Sequence, residues 1–416
     1  MLRSSCRSWW FMIKHPAYAD RSKQDPIGDG TGGSYVYVTS SSSSSWAEGS
    51  KPVTDSSSLL GKQLAGVYDH SVENYVFYND QLPNGSWTTT YGHSKGFFAW
   101  DGTTGYWVQH SIPKFPNFVS SGYEYGHSQE LYGQHAFCMT LTSAMIDEAA
   151  AVMLFAHPWV YDSHVADTSL ANVNDVVGLK KKDGTVKATI KAAWGDLTLL
   201  GKSSSYGQDM LDTLVAPALD ESVESQSWLN SGGPIGGYCP SSGDDVLDIE
   251  TLHFPPSDTH VTAVDHSKWA VAKSASVGIG YFWCALDNNH VASQETRSGL
   301  AVCQTIGGVA SLLRAAATEV GPCGAPPPPP TPGGSCCYYH DATCTAGQIC
   351  CSGSGKSYTS ASTCARYGTD HGCVWDAADD KCWIPSAAPP SPALGLAVGV
   401  VSKRWSAAVE AETFRQ

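Results

Sequence analysis

The residues best suited to chemistry are two histidine–serine–lysine triplets, Gly92-His93-Ser94-Lys95-Gly96 and Asp265-His266-Ser267-Lys268-Trp269. An imidazole followed two residues later by an ammonium group suits phosphate chemistry. On a strand, positions i and i+2 project to one face. There the lysine can hold a phosphate oxygen while the histidine attacks phosphorus or moves a proton. One His-x-Lys arises easily by chance and means little alone. Two distant copies with the same middle serine imply two half-sites folded onto one another.

The surrounding pattern predicts the elements that position them. Trp9-Trp10-Phe11-Met12-Ile13 reads as a first buried strand, and Asn74 to Tyr78 as another. Gly96 to Trp100 and Tyr106 to His110 read as strands around an Asp101-Gly102 turn, so the first triplet opens a hairpin. Tyr132-Gly133-Gln134 leads into a short apolar strand through Cys138. Met145, Ile146, Ala149, Val152 and Met153 recur at helical spacing, and Met210 to Asp220 also reads as helix. Thr185 to Ile190 and Gly280 to Cys284 are expected strands, and Ile306 to Thr318 an apolar helix closing the globular part. The serine run Ser40 to Ser45 is expected as a surface loop, and Lys180-Lys181-Lys182-Asp183-Gly184 as a solvated basic turn.

The chain has 416 residues, 42% hydrophobic and 15% charged, enough for two lobes and an appendage. A net charge of −14 argues against a constitutive nucleic-acid coat. However, the 25 Lys and Arg together with the 14 His match the 39 Asp and Glu in number. Acid therefore removes the repulsion against a polyanion. No apolar run reaches transmembrane length, so stable membrane insertion is not expected.

Fourteen cysteines imply an oxidising compartment. The short apolar run near Met1 is no secretory leader, so a leader is expected upstream of the given start. Asn84-Gly85-Ser86 is a glycosylation sequon. Residues 324–334, with five consecutive prolines, form a polyproline linker. Residues 335–385 hold eight cysteines and read as a disulfide-stapled module, dispensable for catalysis, for which roughly a hundred pairings are open. Zinc competes less well there, because Cys-x-x-Cys pairs are absent. A carbohydrate or cell-surface ligand is the expected partner of this module, suggested by Tyr338, Trp375 and Trp383. Residues 386–416 read as a flexible tail.

Residues 1–323 carry ordered motifs that resemble the deoxyribonuclease II family. These are Trp10 to Pro16, Tyr78-Asn79-Asp80-Gln81, Gly92 to Gly96, Gly105 to Pro116, Tyr132-Gly133-Gln134 with Cys138, Pro158-Trp159-Val160-Tyr161, and Asp265 to Val271. The Cys284–Cys303 segment, with Asp287, Asn289, Glu295 and Arg297, looks like the same family. The resemblance implies the phospholipase D superfamily fold of class α/β. Two similar lobes, each a sheet flanked by helices and divided near 155–200, would share one central active site. It implies metal-free, cofactor-free hydrolysis of DNA, leaving 3′-phosphates, in a lysosomal, phagosomal or secreted setting. Carried over, His266 is the nucleophile, His93 the general acid, and Lys95 and Lys268 the phosphate clamps. His110 matches a further site histidine, and Asn289 a polar pocket residue. The implied disulfides are Cys6–Cys138, Cys239–Cys323 and Cys284–Cys303.

The chain departs from the phospholipase D pattern where an aspartate normally follows His-x-Lys. Trp100 stands there with Asp101 next in the first lobe, and Ala272-Lys273 in the second, which leaves the histidines' partners open. From the residues alone, His110 also reads as a packed core histidine. Asp287, Glu295 and Arg297 read equally well as structural ion pairs. Two other functions remain open: a phosphodiesterase acting on lipid headgroups, and a secreted inactive binding protein or toxin of the same fold. Since a free imidazole titrates near 6.5, activity is expected in mild acid, roughly pH 4.5–6.

Overall fold

Strand β1 (Trp9–Lys14) shows how the fold is layered. Trp9, Phe11 and Ile13 enter one apolar cluster and Trp10 and Met12 another, the two-residue alternation of a strand buried on both faces. In the computed structural model, residues 8–17, 32–230, 232–255, 258–274 and 282–324 are described, together with the backbone of two short strands in 374–376 and 381–383.

The first sheet has the order β3-β2-β1-β7-β6-β5-β4-β8. Its other strands are β2 (Tyr35–Thr39), β3 (Ser42–Glu48), β4 (Asn74–Tyr78), β5 (Gly96–Asp101), β6 (Thr104–His110), β7 (Gln134–Thr142) and β8 (Val160–His164). All its pairings are antiparallel.

The second sheet runs β13-β12-β11-β14-β15-β16-β10-β9, with β17 on β12. Its strands are β9 (Thr185–Ala192), β10 (Gly195–Lys202), β11 (Val223–Gln226), β12 (Val246–Phe254), β13 (Asp258–Val261), β14 (Trp269–Ala272), β15 (Trp283–Leu286), β16 (Gly299–Gln304) and β17 (Ala317–Val320). One pairing, β11 with β12, is parallel.

The central cluster draws side chains from both sheets and from three of the five α-helices among the described residues. The helices are α1 (Leu59–Tyr68), α2 (Ser143–Ala156), α3 (Ala171–Val177), α4 (Ala216–Leu219) and α5 (Gly307–Ala316). Helix α2 starts where the Thr142 side chain accepts the Met145 N–H at 3.2 Å, and it ends with His157 in the left-handed conformation. Its Asp147 in turn accepts the amides of Asn172 and Val173 at the start of α3. The outer face of the first sheet is covered by α1, and that of the second by the turn over Leu211–Val215 and α4. The fold is thus the expected mixed α/β pair of sheets with flanking helices.

Several elements differ from expectation. The serine run is not simply a loop, because β3 begins at Ser42 and pairs with β2. β-Branching and apolar character are missing there, and ladder hydrogen bonds to Tyr35–Thr39 decide the outcome. The helix over Met210–Asp220 opens as a π-turn, and Pro217, which lacks an N–H, lies in its second half. The last apolar helix stops at Ala316, after which β17 joins β12. The triplets lie in the residues leading into β5 and β14 rather than within the strands. Their lysines curl back, with Lys268 Nζ donating to the His266 carbonyl at 2.8 Å.

Disulfides Cys239–Cys323 and Cys284–Cys303 are present, the second across β15 and β16. Cys6, the linker, most of the cysteine-rich module and the tail lie outside the described residues, as do 275–281, where the Gly280–Cys284 strand was expected to start. The chain divides into two units, Met1–Pro327 and Pro328–Gln416. In the second, β18 (Val374–Asp376) and β19 (Lys381–Trp383) pair antiparallel. Among the described residues, no helix is long and apolar enough to cross a membrane.

Trp283 on β15 joins the two sheets. Its ring centroid lies 4.7 Å from that of Phe11 and 5.0 Å from that of Phe137, both in the first sheet. Trp283→Ala should lower unfolding free energy by about 3–5 kcal/mol. Urea unfolding reads this directly, and a loss below about 1 kcal/mol would show that the sheets do not depend on the contact.

Candidate active site

The two triplets enter their sheets in matching ways. The His93 amide donates to the Ser298 carbonyl at 3.0 Å, and the His266 amide to the Gly133 carbonyl at 2.9 Å. Each histidine is therefore hung on backbone of the opposite lobe, one residue ahead of a strand. Inside each sheet the correspondence continues: His110 N donates to Lys95 O at 3.1 Å, and Leu286 N to Lys268 O at 2.9 Å. His110 thus stands where the second lobe has a leucine.

His93 presents Nδ1 to the Asp287 carbonyl at 2.8 Å. Since a carbonyl only accepts, Nδ1 carries the proton and Nε2 holds the lone pair. Nε2 faces the Asp80 carboxylate at 3.9 Å. The open question of its partner is answered by main chain, with no carboxylate on Nδ1.

His266 is packed between rings, with Tyr132 stacked at 4.2 Å and Trp228 tilted at 4.6 Å. Its Nε2 is buried and has no hydrogen-bond partner among the described residues. The neighbouring Asp265 fixes the local backbone, accepting the Ser267 amide at 2.6 Å and facing His260 Nε2 at 2.9 Å.

Lys95 Nζ bonds the Asp80 carboxylate, and the Arg297 guanidinium meets the same carboxylate at 2.5 Å. Together these cations hold the Asp80 carboxyl below its usual range against the opposing effect of burial. Burial, helped by Lys95, Arg297 and Lys268, pushes His93 well below its ordinary value. Burial with Lys268 and Lys95 does the same to His266. Lys268 falls to about 7, first through desolvation and then through Lys95. Both lysines thus act on both imidazoles, so the four residues of the two triplets form one electrostatic cluster.

The remaining predicted residues stand around that cluster. His110 packs against Phe97 and Phe115, with centroids at 6.0 and 5.6 Å, and its Nδ1 accepts the Ile112 amide at 3.1 Å. It is a buried packed histidine on the strand next to Lys95. Asn289 Oδ1 accepts the Trp228 amide at 3.3 Å, which holds the ring that packs on His266. Asn289 therefore sits beside the pair through Trp228.

Sequence reasoning assigned no role to Asp80, Ser94, Gln109 or His135. Ser94 Oγ donates to Asp287 Oδ2 at 2.5 Å and Gln109 Nε2 to Oδ1 at 3.0 Å, tying the first lobe to the second. His135 Nδ1 accepts the Lys268 amide at 3.0 Å, so it too links the lobes. Their one signal was position: Asp80 lies inside Tyr78-Asn79-Asp80-Gln81, and His135 directly after Tyr132-Gly133-Gln134.

Among the described residues, Asp209, Asp212 and His290 are the group with metal-ligand spacing. Both His290 nitrogens already face carboxylates, Asp248 at 2.8 Å and Asp212 at 3.0 Å. These carboxylates push His290 well above its ordinary value despite burial. The group is a buried ion-pair cluster that pins the Asp287–Asn289 segment.

One antiparallel and one mixed sheet thus bring the paired His-x-Lys segments and a shared set of cations to one centre. The deoxyribonuclease II family profile matches residues 8–323, and the chain belongs to that family. It is 27% identical to rat deoxyribonuclease-2-beta over 307 residues, covering 71% of this chain and 84% of the relative. It is 28% identical to mouse deoxyribonuclease-2-alpha over 314 residues, with the same coverages. Plancitoxin-1 of Acanthaster planci is 25% identical over 327 residues, 76% of this chain and 89% of that protein. The protein is accordingly a nuclease-family hydrolase.

Asp287 supplies a stability test. Desolvation pushes its carboxyl up from 3.8 to about 6, against the hydrogen bonds from Ser94 and Gln109. A folded value above the unfolded one means the native state binds the proton more tightly. The contribution to stability is fully present below about pH 4 and is lost as pH rises through about 6. Between about pH 4.5 and 7, the wild type should lose about 2 kcal/mol relative to Asp287→Asn. Urea unfolding at both pH values measures it; a gap independent of pH would contradict the buried, protonated carboxyl.

Proposed function

We propose that this site cuts DNA phosphodiester bonds without a metal ion, through a phosphohistidine on His266, leaving 3′-phosphate and 5′-hydroxyl ends. The observation that carries the reading is the buried, unpartnered Nε2 of His266 in the same cluster as His93, Lys95 and Lys268. The Nε2 lone pair of His266 forms the N–P bond as the P–O5′ bond breaks. His93, protonated at Nε2, gives that proton to the departing 5′ oxygen. Water then attacks phosphorus, His93 takes its proton, and the N–P bond breaks. Lys95 and Lys268 stabilise the charge on the phosphoryl oxygens, the part that a metal plays elsewhere.

The depressed histidines suit work in acid. An ordinary imidazole is largely protonated below pH about 6 and has no lone pair for attack. Burial and the lysines keep His266 neutral there. The same effects oppose protonation of His93, so the imidazolium forms when a phosphate anion arrives to offset the lysine charge. Activity should therefore rise as pH falls from neutral, consistent with a lysosomal, phagosomal or secreted acidic setting. DNA is the substrate that the family membership supports, and a carbohydrate or cell-surface ligand stays the proposal for the cysteine-rich module.

The direct test is plasmid nicking in acid with EDTA present. Wild type should cut, and His266→Ala and His93→Ala should each lose at least about 1,000-fold in rate with unchanged thermal unfolding. Rapid denaturation should trap acid-labile, base-stable phosphate on His266. Cleavage that EDTA abolishes and magnesium restores would overturn the mechanism, and a trap on His93 would reverse the roles.

Lys268 adds to the alkaline limb that His93 begins. With its ammonium at about 7, rising pH removes the proton and one phosphate clamp. Arginine keeps its charge throughout. Lys268→Arg should therefore move the alkaline limb of kcat/KM upward by about one pH unit, although the maximal rate falls. A pH–rate profile with an unmoved limb would assign that limb to another group.

A further inference from the structure

Three groups converge on the Asp80 carboxylate: the Lys95 ammonium, the Arg297 guanidinium at 2.5 Å, and His93 Nε2 at 3.9 Å. Lys95 and His93 are the groups that the proposed reaction directs at a phosphodiester. Asp80 is itself buried, so an anion of the protein is held against the residues a substrate anion needs. Arg297 comes from the opposite lobe. Its guanidinium also donates to the Thr88 carbonyl at 3.2 Å, while its buried Nε has no partner among the described residues.

Both arms of this contact are built in place. Asp80 lies at the base of a tight hairpin: Thr88 N donates to Asp80 O at 3.1 Å, Gln81 bridges Trp87, and Leu82 N donates to Ser86 O at 2.7 Å. Arg297 follows a short turn over Ala292–Gln294. Lys202 Nζ anchors that turn from β10, donating to the carbonyls of Gln294 at 2.9 Å and Glu295 at 2.7 Å. The Asn288 side chain holds the Arg297 carbonyl at 3.3 Å. A flexible surface pair would need none of this.

We propose that Arg297 is a third phosphate-binding residue of the site, and that Asp80 is the counterion that Lys95 and Arg297 share until a phosphodiester takes its place. Arg297 offers a planar set of donors with Nε still unused, the geometry suited to two oxygens of a phosphate. Asp80 keeps buried Lys95 and Arg297 oriented side by side, where unpaired they would repel each other. Asp80 is thus a positioning residue, while Arg297 touches the substrate. Because Arg297 reaches across from the second lobe, a phosphate bound this way would be gripped by both lobes at once.

This inference rests on the phosphodiesterase reading of the site, but its test needs no DNA. At about pH 5 inorganic phosphate is a monoanion, as a phosphodiester is. Its affinity for the full chain can be followed by calorimetry and, separately, by competition against DNA cleavage. Asp80→Asn removes the competing charge while keeping the side-chain shape, and should tighten phosphate binding about tenfold. Arg297→Ala should weaken it by at least about tenfold, and millimolar guanidinium should restore part of the loss. Arg297→Ala keeps the test open if Asp80→Asn does not fold.

Weaker or unchanged phosphate binding in folded Asp80→Asn would show that Asp80 assists the site rather than competes for it. Unchanged binding in Arg297→Ala would remove Arg297 from the phosphate site. Either result overturns the proposal. A chain that binds phosphate as expected yet cuts no DNA would refute the nuclease mechanism and leave the Arg297 role standing.

Discussion

Lys95, Lys268 and Arg297 repel each other in a seam shared with the two histidines, and the buried lysines have lost most of their water, a cost of several kcal/mol for each desolvated ion. Much of the surrounding structure compensates for this. Asp80 takes Lys95 and Arg297, and main-chain carbonyls take Lys268 and the Nδ1 proton of His93. What remains is a deficit of negative charge at the centre. In the proposed reaction a phosphate anion relieves it, and that relief would be a binding force that a neutral ligand cannot supply.

The same deficit explains the chemistry. Burial, joined by the lysines, depresses both imidazoles and would keep the proposed nucleophile unprotonated in acid, where an ordinary histidine is charged. Asp287 reinforces this setting. Its buried carboxyl favours the folded protein most at low pH, so the seam between the lobes is strongest where the proposed reaction is fastest. Stability and activity would then respond to acid in the same direction through different groups.

Near-twofold correspondence organises the seam, but the two halves have different tasks. The histidine amide of each triplet donates to the opposite lobe, at Ser298 and at Gly133. Beyond that the halves diverge. Ser94 bonds across to Asp287, whereas Ser267 is held by Asp265 through its amide. His93 faces a carboxylate, and His266 is walled by Tyr132 and Trp228. Such asymmetry suits one imidazole to moving protons and the other to forming a bond.

Much of this could be read from the chain alone. The doubled His-Ser-Lys spacing, the alternation in Trp9–Ile13, and the turn at Asp101-Gly102 are local signals, and local hydrogen bonding and side-chain periodicity act within a few residues. Strands β4, β5 and β6 and helix α2 accordingly lie where the pattern puts them. Tertiary structure decided the rest. β3 forms in a serine run because a neighbouring strand needs its backbone, which no propensity registers. Asp80 and Arg297 stand far apart in sequence, and their meeting depends on a hairpin and a lysine-anchored turn from opposite lobes. His110 and Asn289 have types that suit a site, yet contacts place one among phenylalanines and the other behind Trp228. Residue type determined which groups could do the chemistry, and long-range packing determined which atoms were left without partners to do it.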